Sequence, residues 1–139
     1  MPTSNGCARN GNFISKTVVV KALFDTNILI DFLRGIKAAK MEIKRYPDKA
    51  ISIITWMEVQ VGVAPDDQMA VDGFLANFAI LQVDGPVSKR AVELRKGKTI
   101  KLPDAIVWAS AQVHHRLLVT RNTKDFASSD PGVRVPYRV

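Results

Sequence analysis

The sequence predicts an α/β domain with a mainly parallel sheet and helices on both of its faces. Short apolar runs rich in β-branched residues recur along the chain, at Val18–Phe24, Ala50–Ile54, Ala79–Val83 and Leu117–Thr120. Between them lie stretches whose apolar residues repeat at helical spacing. The runs are nearly continuously apolar, as strands are when helices cover both faces of a sheet.

The chain of 139 residues suits one domain, long enough to bury roughly two-thirds of its unfolded surface. Residues 1–16 are rich in Ser, Asn, Gly and Thr, lack a hydrophobic period and read as a disordered tail, which leaves residues 17–139 as the domain. Its first strand ends at Phe24. Thr26 and Asn27 are good helix N-caps, and Ile28, Leu29, Phe32 and Leu33 follow at helical spacing up to Arg34, with Gly35 suited to the C′ position. A second helix puts Ile36, Ala39, Ile43 and Tyr46 on one face and stops at Pro47-Asp48. After the second strand, Thr55 opens a helix that ends near Gly62.

Pro65-Asp66-Asp67 starts a fourth helix with an apolar stripe of Ala70, Val71, Phe74, Leu75 and Phe78. Asp84-Gly85-Pro86 turns into a fifth, with Val87, Ala91 and Leu94 inward, ended by Gly97. Lys98–Leu102 is a basic loop, and Pro103 fits the first turn of a sixth helix that is apolar nearly all round and therefore central. A turn at Asp130-Pro131-Gly132 precedes a last short strand, Val133–Val135.

Twenty Lys and Arg against 13 Asp and Glu give a net charge of +7. That excess favours a polyanion, whether nucleic acid, anionic membrane or acidic protein, with solubility as the plainer reading. No apolar run approaches the ~20 residues of a membrane span, and no signal-peptide core is present. Cys7 is the single cysteine, so no internal disulfide framework exists. The expected location is the cytoplasm.

Acidic residues follow the strands. Asp25 ends the first, Glu58 lies one helical turn beyond the second, Asp104 sits in the first turn of the sixth helix, and Asn122 and Asp125 follow the fourth strand. In a parallel sheet all these places lie at the carboxyl edge, where ligands bind. Carboxylates gathered without basic partners repel one another, and a hard divalent cation, Mg²⁺ or Mn²⁺, relieves the repulsion. Such an ion hydrolyses phosphodiesters by polarising the phosphoryl group and acidifying water. Arg95, Lys98, Lys101 and Arg121 lie near these loops in sequence and are candidates to hold the phosphates of a nucleic acid.

Plainer readings stand beside these. Thr55-x-x-Glu58 is a capping box by itself, and Asp104 suits a helix dipole. Asp31 reads as solvent-facing, Asp66 and Asp67 as first-turn residues, and Trp56 and Trp108 as core. Asp25 is harder to dismiss, because a charge beside a central apolar strand must find partners.

Four stretches together resemble the PIN domain, and more narrowly the toxin ribonucleases of VapBC-type toxin–antitoxin pairs. They are Leu23-Phe24-Asp25-Thr26-Asn27, Ser52-Ile53-Ile54-Thr55-x-x-Glu58-x-x-x-Gly62, Leu102-Pro103-Asp104-Ala105-Ile106-x-x-Ala109-x-Ala111 and Leu118-Val119-Thr120-Arg121-Asn122-x-x-Asp125-Phe126. The match runs from about Val20 to Val135.

The resemblance implies a three-layer α/β/α sandwich and a Mg²⁺- or Mn²⁺-dependent endoribonuclease leaving a 3′-hydroxyl and a 5′-phosphate. It implies Asp25, Glu58 and Asp104 as catalytic and metal-binding residues, with Thr26 beside the metal, Asn27 packing the turn and Thr120 near the fourth acidic position. It also implies a small antitoxin partner and a homodimer. At the fourth acidic position this chain has Asn122, a neutral oxygen donor, with Asp125 as the nearby carboxylate.

Three other functions compete. A haloacid-dehalogenase-type phosphatase wants a second acid where Asn27 stands. A receiver domain wants an acidic pair and a phosphorylatable aspartate that the chain does not offer. A non-catalytic PIN-like domain would bind RNA or a partner without cutting.

Overall fold

The computed structural model describes residues 19–139. The tail read into residues 1–16, the start of the domain at Thr17 and the first residue of the expected strand, Val18, lie outside the described residues. The elements alternate as the apolar pattern predicts. Strand β1 (Lys21–Phe24) leads to α1 (Thr26–Leu33) and α2 (Lys37–Lys44), then β2 (Asp48–Ser52) to α3 (Ile53–Val61) and α4 (Gln68–Leu75). Strand β3 (Ala79–Leu81) leads to α5 (Gly85–Gly97) and α6 (Leu102–Val113), followed by β4 (Leu117–Val119) and β5 (Val133–Arg134).

The five strands form one sheet in the order β3-β2-β1-β4-β5, and every pairing is parallel. Alternate residues of a strand face opposite sides, and β1 shows how this splits the core. Leu23 points to one side with Leu118, where α5 and α6 supply Val87, Ala91, Leu94, Val107 and Trp108. Ala22 and Phe24 point to the other with Val119, where α1 to α4 supply Ile28, Ile43, Val59, Val71 and Leu75. Phe24 meets both Tyr46 and Phe78 edge-on, with ring centroids 5.8 Å apart in each pair. This is the three-layer α/β/α arrangement that the resemblance implies. No helix among the described residues is long and apolar enough to cross a membrane.

Three local expectations are corrected. The second strand ends at Ser52, where the apolar run continues to Ile54, because the Ser52 side chain accepts a hydrogen bond from the Ile54 amide and caps α3. Helix α1 is capped by Asp25 and not by Thr26 or Asn27, since the Asp25 carboxylate accepts from the Thr26 amide. Asp31 is buried, not solvent-facing, at 2% exposure. It shares the inner face of α1 with Ile28, three residues before it.

The strand order sets the site. From β1 the chain builds outward through β2 to β3, then returns to place β4 on the other side of β1. The direction of winding reverses between β1 and β4, and such a reversal opens a crevice at the carboxyl ends of the two strands. Asp25 follows β1 and Thr120 follows β4. Their segments are laced together by the Asp25 amide, which donates to the Val119 carbonyl at 2.9 Å.

Candidate active site

Asp25 is the centre of the crevice. It is 4% exposed, yet neutral groups supply all its hydrogen bonds. One oxygen accepts from the Thr26 amide at 2.8 Å, and the other from Thr120 Oγ1 at 2.8 Å and Asn27 Nδ2 at 3.2 Å. Asn27 also donates to Thr120 Oγ1 and accepts from the Arg121 amide, so it ties the turn after β1 to the turn after β4. Burial pushes the Asp25 carboxyl above its ordinary value, and the nearby charge of Glu58 adds to the rise. The three donors oppose that rise without reversing it.

Glu58 is set by threonines. Thr26 Oγ1 lies 2.6 Å from Glu58 Oε1 and 3.0 Å from Thr55 Oγ1. A carboxylate only accepts, so the single Thr26 proton goes to Glu58 and the buried Thr55 hydroxyl donates to Thr26. The capping-box reading of Thr55-x-x-Glu58 is overturned. Ser52 is the cap of α3, Thr55 lies inside the helix, and Glu58 is turned toward Thr26.

Asp104 stands in the first turn of α6, where the helix dipole favours a carboxylate. Its pKa nevertheless rises from 3.8 to about 6. Burial is the largest cause, followed by the charges of Asp25 and Asp125, a hydrogen bond with Asp125 and the charge of Glu58. Burial first, and the neighbouring carboxylates after it, raise the Asp104 carboxyl despite its favourable place in the helix.

Asn122 and Asp125 divide the fourth position between them. The Asn122 side-chain oxygen accepts from the amides of Lys124 and Asp125, and its Nδ2 donates to Asp125 Oδ2 at 3.0 Å. Asn122 thus spends its carbonyl oxygen on the loop and presents the carboxylate of Asp125 toward Asp104. Phe126, fully buried and edge-on to Trp108 at 5.3 Å between centroids, anchors the other end of that loop.

An open cleft of about 350 Å³ is lined by Asp25, Thr26, Asn27, Ile30, Glu58, Asp104, Arg121 and Asn122. Among the described residues, none of Asp25, Glu58, Asp104 and Asp125 has a Lys, Arg or His partner. A set of hard oxygen donors with uncompensated charge fits Mg²⁺ or Mn²⁺. Among the described residues no three His, Cys, Asp or Glu side chains already converge as a metal-holding group.

Of the four cations considered for RNA, only Arg121 lines the cleft. Arg95, Lys98 and Lys101 are exposed at the end of α5 and in the loop after it, and Lys98 Nζ sits 4.5 Å from the Trp108 ring centroid. Sequence reasoning missed three contributors. Thr55 was masked by its reading as a cap. Asp31, which holds Arg121, was legible only from its place on the inner face of α1. Tyr137, which donates to Asp31 at 2.8 Å, carries no local pattern at all.

A second, larger groove of about 560 Å³ lies beside the cleft, lined by apolar residues that include Phe32, Val59, Val63, Val71 and Phe74. Ile30 borders both. The Phe74–Phe78 stripe is therefore split: Phe78 is core, whereas Phe74 stacks on Phe32 at 4.2 Å and lines the groove.

The PIN domain family model matches residues 22–130. A search of curated proteins returned no match. Among solved structures the chain is similar to a toxin–antitoxin complex from Klebsiella pneumoniae, with 47% identity and a TM-score of 0.80 over 86% of this chain and 100% of that one. It is also similar to FitAcB from Neisseria gonorrhoeae, with 25% identity and a TM-score of 0.72 over 85% and 99% of the two chains. Its fold is shared with DNA-bound VapBC from Salmonella typhimurium, at 24% identity and a TM-score of 0.68 over 83% and 96%.

Proposed function

The chain belongs to the PIN domain family, a family of nucleases, and on that premise we propose that it is a metal-dependent endoribonuclease and the toxin of a type II toxin–antitoxin pair. The observation that carries the reading is the cluster of Asp25, Glu58 and Asp104 in one cleft, with Asp125 hydrogen-bonded beside Asp104 and none of the four paired with a Lys, Arg or His among the described residues. A fold alone gains nothing from gathering repelling charges.

In this reading Asp25 and Asp104 are the main ligands of Mg²⁺ or Mn²⁺, and Asp125 adds a further carboxylate beside Asp104. A bound divalent ion would supply Lewis-acid polarisation of the phosphodiester and a more acidic water. Glu58 orients the attacking water, because Thr26 fixes one of its oxygens and leaves the other to accept a proton. Thr120 and Asn27 keep Asp25 in a single rotamer, so the site is preorganised before RNA arrives. RNA as substrate follows from the family resemblance and suits a net charge of +7.

An antitoxin partner is supported by two observations. The solved relatives at 47% and 25% identity include a complex of toxin with antitoxin. The apolar groove meets the acidic cleft at Ile30, so a segment lying in the one can reach the other.

The test is cleavage of a mixed RNA pool in Mg²⁺, Mn²⁺ or EDTA, beside Asp25→Asn purified identically. Cleavage that needs metal and disappears in the folded variant is expected. Normal cleavage by Asp25→Asn would sink the assignment. Binding of RNA with no cleavage in either metal, by protein freed of any partner, would favour the non-catalytic reading.

A further inference from the structure

Arg121 is the one cation lining the acidic cleft among the described residues. It follows β4, and its amide is fixed to Asn27. Its guanidinium is fixed from behind by a carboxylate. Nε and Nη2 donate to the two oxygens of Asp31, whose side chain is 3% exposed, and Tyr137 donates its hydroxyl to the same carboxylate at 2.8 Å. Burial pushes the Asp31 carboxyl up, but the hydrogen bonds and charge of Arg121, with the bond from Tyr137, hold it below its ordinary value. The remaining guanidinium nitrogen, Nη1, has no hydrogen bond among the described residues, and the Arg121 side chain stays 30% exposed.

We propose that Asp31 and Tyr137 are positioning residues, which lock the Arg121 guanidinium on the cleft wall so that it anchors a phosphate of single-stranded RNA against the repulsion of the four carboxylates. The inference rests on the nuclease reading above. A guanidinium already fixed by a bidentate carboxylate loses little freedom when it binds a phosphate. A free lysine or arginine in the same place would be drawn toward Asp25 or Glu58 instead.

The molecule holds a matching arrangement that serves as a control. Glu42 is buried, takes two hydrogen bonds from Arg134 and one from Tyr46, and so repeats the carboxylate, guanidinium and phenol of the Asp31 group. Arg134 does not line the cleft. If Asp31 only braces the fold, the two groups should behave alike toward RNA.

The experiment measures binding of a fluorescent mixed-sequence single-stranded RNA in EDTA as a function of salt, for wild type, Arg121→Gln, Asp31→Asn, Tyr137→Phe and Glu42→Gln. Each phosphate contact contributes about 0.7 to the slope of log affinity against log salt for single strands. Arg121→Gln and Asp31→Asn should both lose about that much slope, with Tyr137→Phe losing part of it and Glu42→Gln none. In Mg²⁺ the same variants should raise KM more than they lower kcat. Arg121→Lys should not restore the wild-type values, because a point charge cannot use the bidentate brace.

An unchanged or steeper slope in Asp31→Asn overturns the proposal, as does an equal loss in Glu42→Gln. Should Asp31→Asn fail to fold, Tyr137→Phe decides, since it removes one hydroxyl, and wild-type slope and KM in that variant overturn the role of Tyr137. A wild type that cleaves RNA while its slope ignores Arg121 sinks this inference alone. A wild type that neither binds nor cleaves RNA sinks the nuclease reading with it.

Discussion

The acidic cleft and the two buried ion pairs contain the same chemical group under opposite treatment. Asp31 and Glu42 are each met by a bidentate arginine and a tyrosine hydroxyl, and both carboxyls lie below their ordinary values although burial pushes them up. Asp25 is met by neutral donors and Asp104 by other carboxylates, and both lie above theirs. The chain has 20 Lys and Arg with which to neutralise its acids, yet no described Lys, Arg or His pairs with the acids of the cleft. The lesson is that burial does not distinguish the arginine-paired carboxylates from those of the cleft. The identity of the partner does.

The sharpest way to break this contrast is to remove one charge from each region. Asp25→Asn should cut cleavage on the order of a thousandfold, since loss of a metal ligand removes several kcal/mol of transition-state stabilisation, while Tm holds or rises as repulsion is relieved. Glu42→Gln should do the reverse and keep cleavage while lowering stability in urea by about 2 kcal/mol. That is below the ~3–5 kcal/mol of a fully buried broken pair, because the Arg134 side chain is 34% exposed and water screens it. Loss of cleavage in Glu42→Gln, or collapse of the fold in Asp25→Asn, would erase the distinction.

Acidity sharpens the comparison, because the two regions carry opposite signs. Asp31 and Glu42 have depressed folded values, so their stabilisation is present above the unfolded pKa and lost as pH falls through the folded one. Asp104 is raised from 3.8 to about 6, so the folded protein holds that proton more tightly than the unfolded chain. Without metal, its contribution to stability must fall as pH rises from about 4 to about 6 and then level off. Melting of wild type against Asp104→Asn in EDTA should show the variant gaining on wild type across that window. Mg²⁺ should shrink the gap at pH 7 and do less at pH 5, where protons compete for the site.

The smallest effect concerns the neutral cradle. Thr120→Val removes a donor to Asp25 and should cost about 1 kcal/mol. It should push the Asp25 carboxyl further up, because the Thr120 hydroxyl does more than any other donor to hold it down. Carboxylate chemical shifts followed by NMR over pH would read this, and an unmoved titration would mean that the cradle does not tune the charge.

Much of the fold is legible in the sequence, because each element carries its own local pattern. The apolar runs mark the strands, the spacing of Val87, Ala91 and Leu94 marks the buried face of α5, and the nearly continuous apolarity of Ala105 to Ala111, interrupted only by Ser110, marks α6 as central. Of the candidate site, Asp25 and Glu58 are legible from their positions after strands and Asp104 from its place in the first turn of α6, and the resemblance fixes their order. Their grouping is a consequence of parallel topology, which puts every strand end on one edge.

Tertiary structure alone decided what each polar residue does there. Ile53 and Ile54 look like strand by propensity, and the Ser52 cap made them helix. Asn122 and Asp125 are two candidates for one place until the loop closes and assigns the first to backbone amides and the second to Asp104. Asp31 and Asp25 are two aspartates six positions apart, and their opposite fates rest on partners far along the chain, Arg121 and Tyr137 for the one and Thr120 for the other. Periodicity is a short-range property that a sequence displays directly. Electrostatic environment is a sum over neighbours brought together by the fold, so it exists only once the chain has closed on itself.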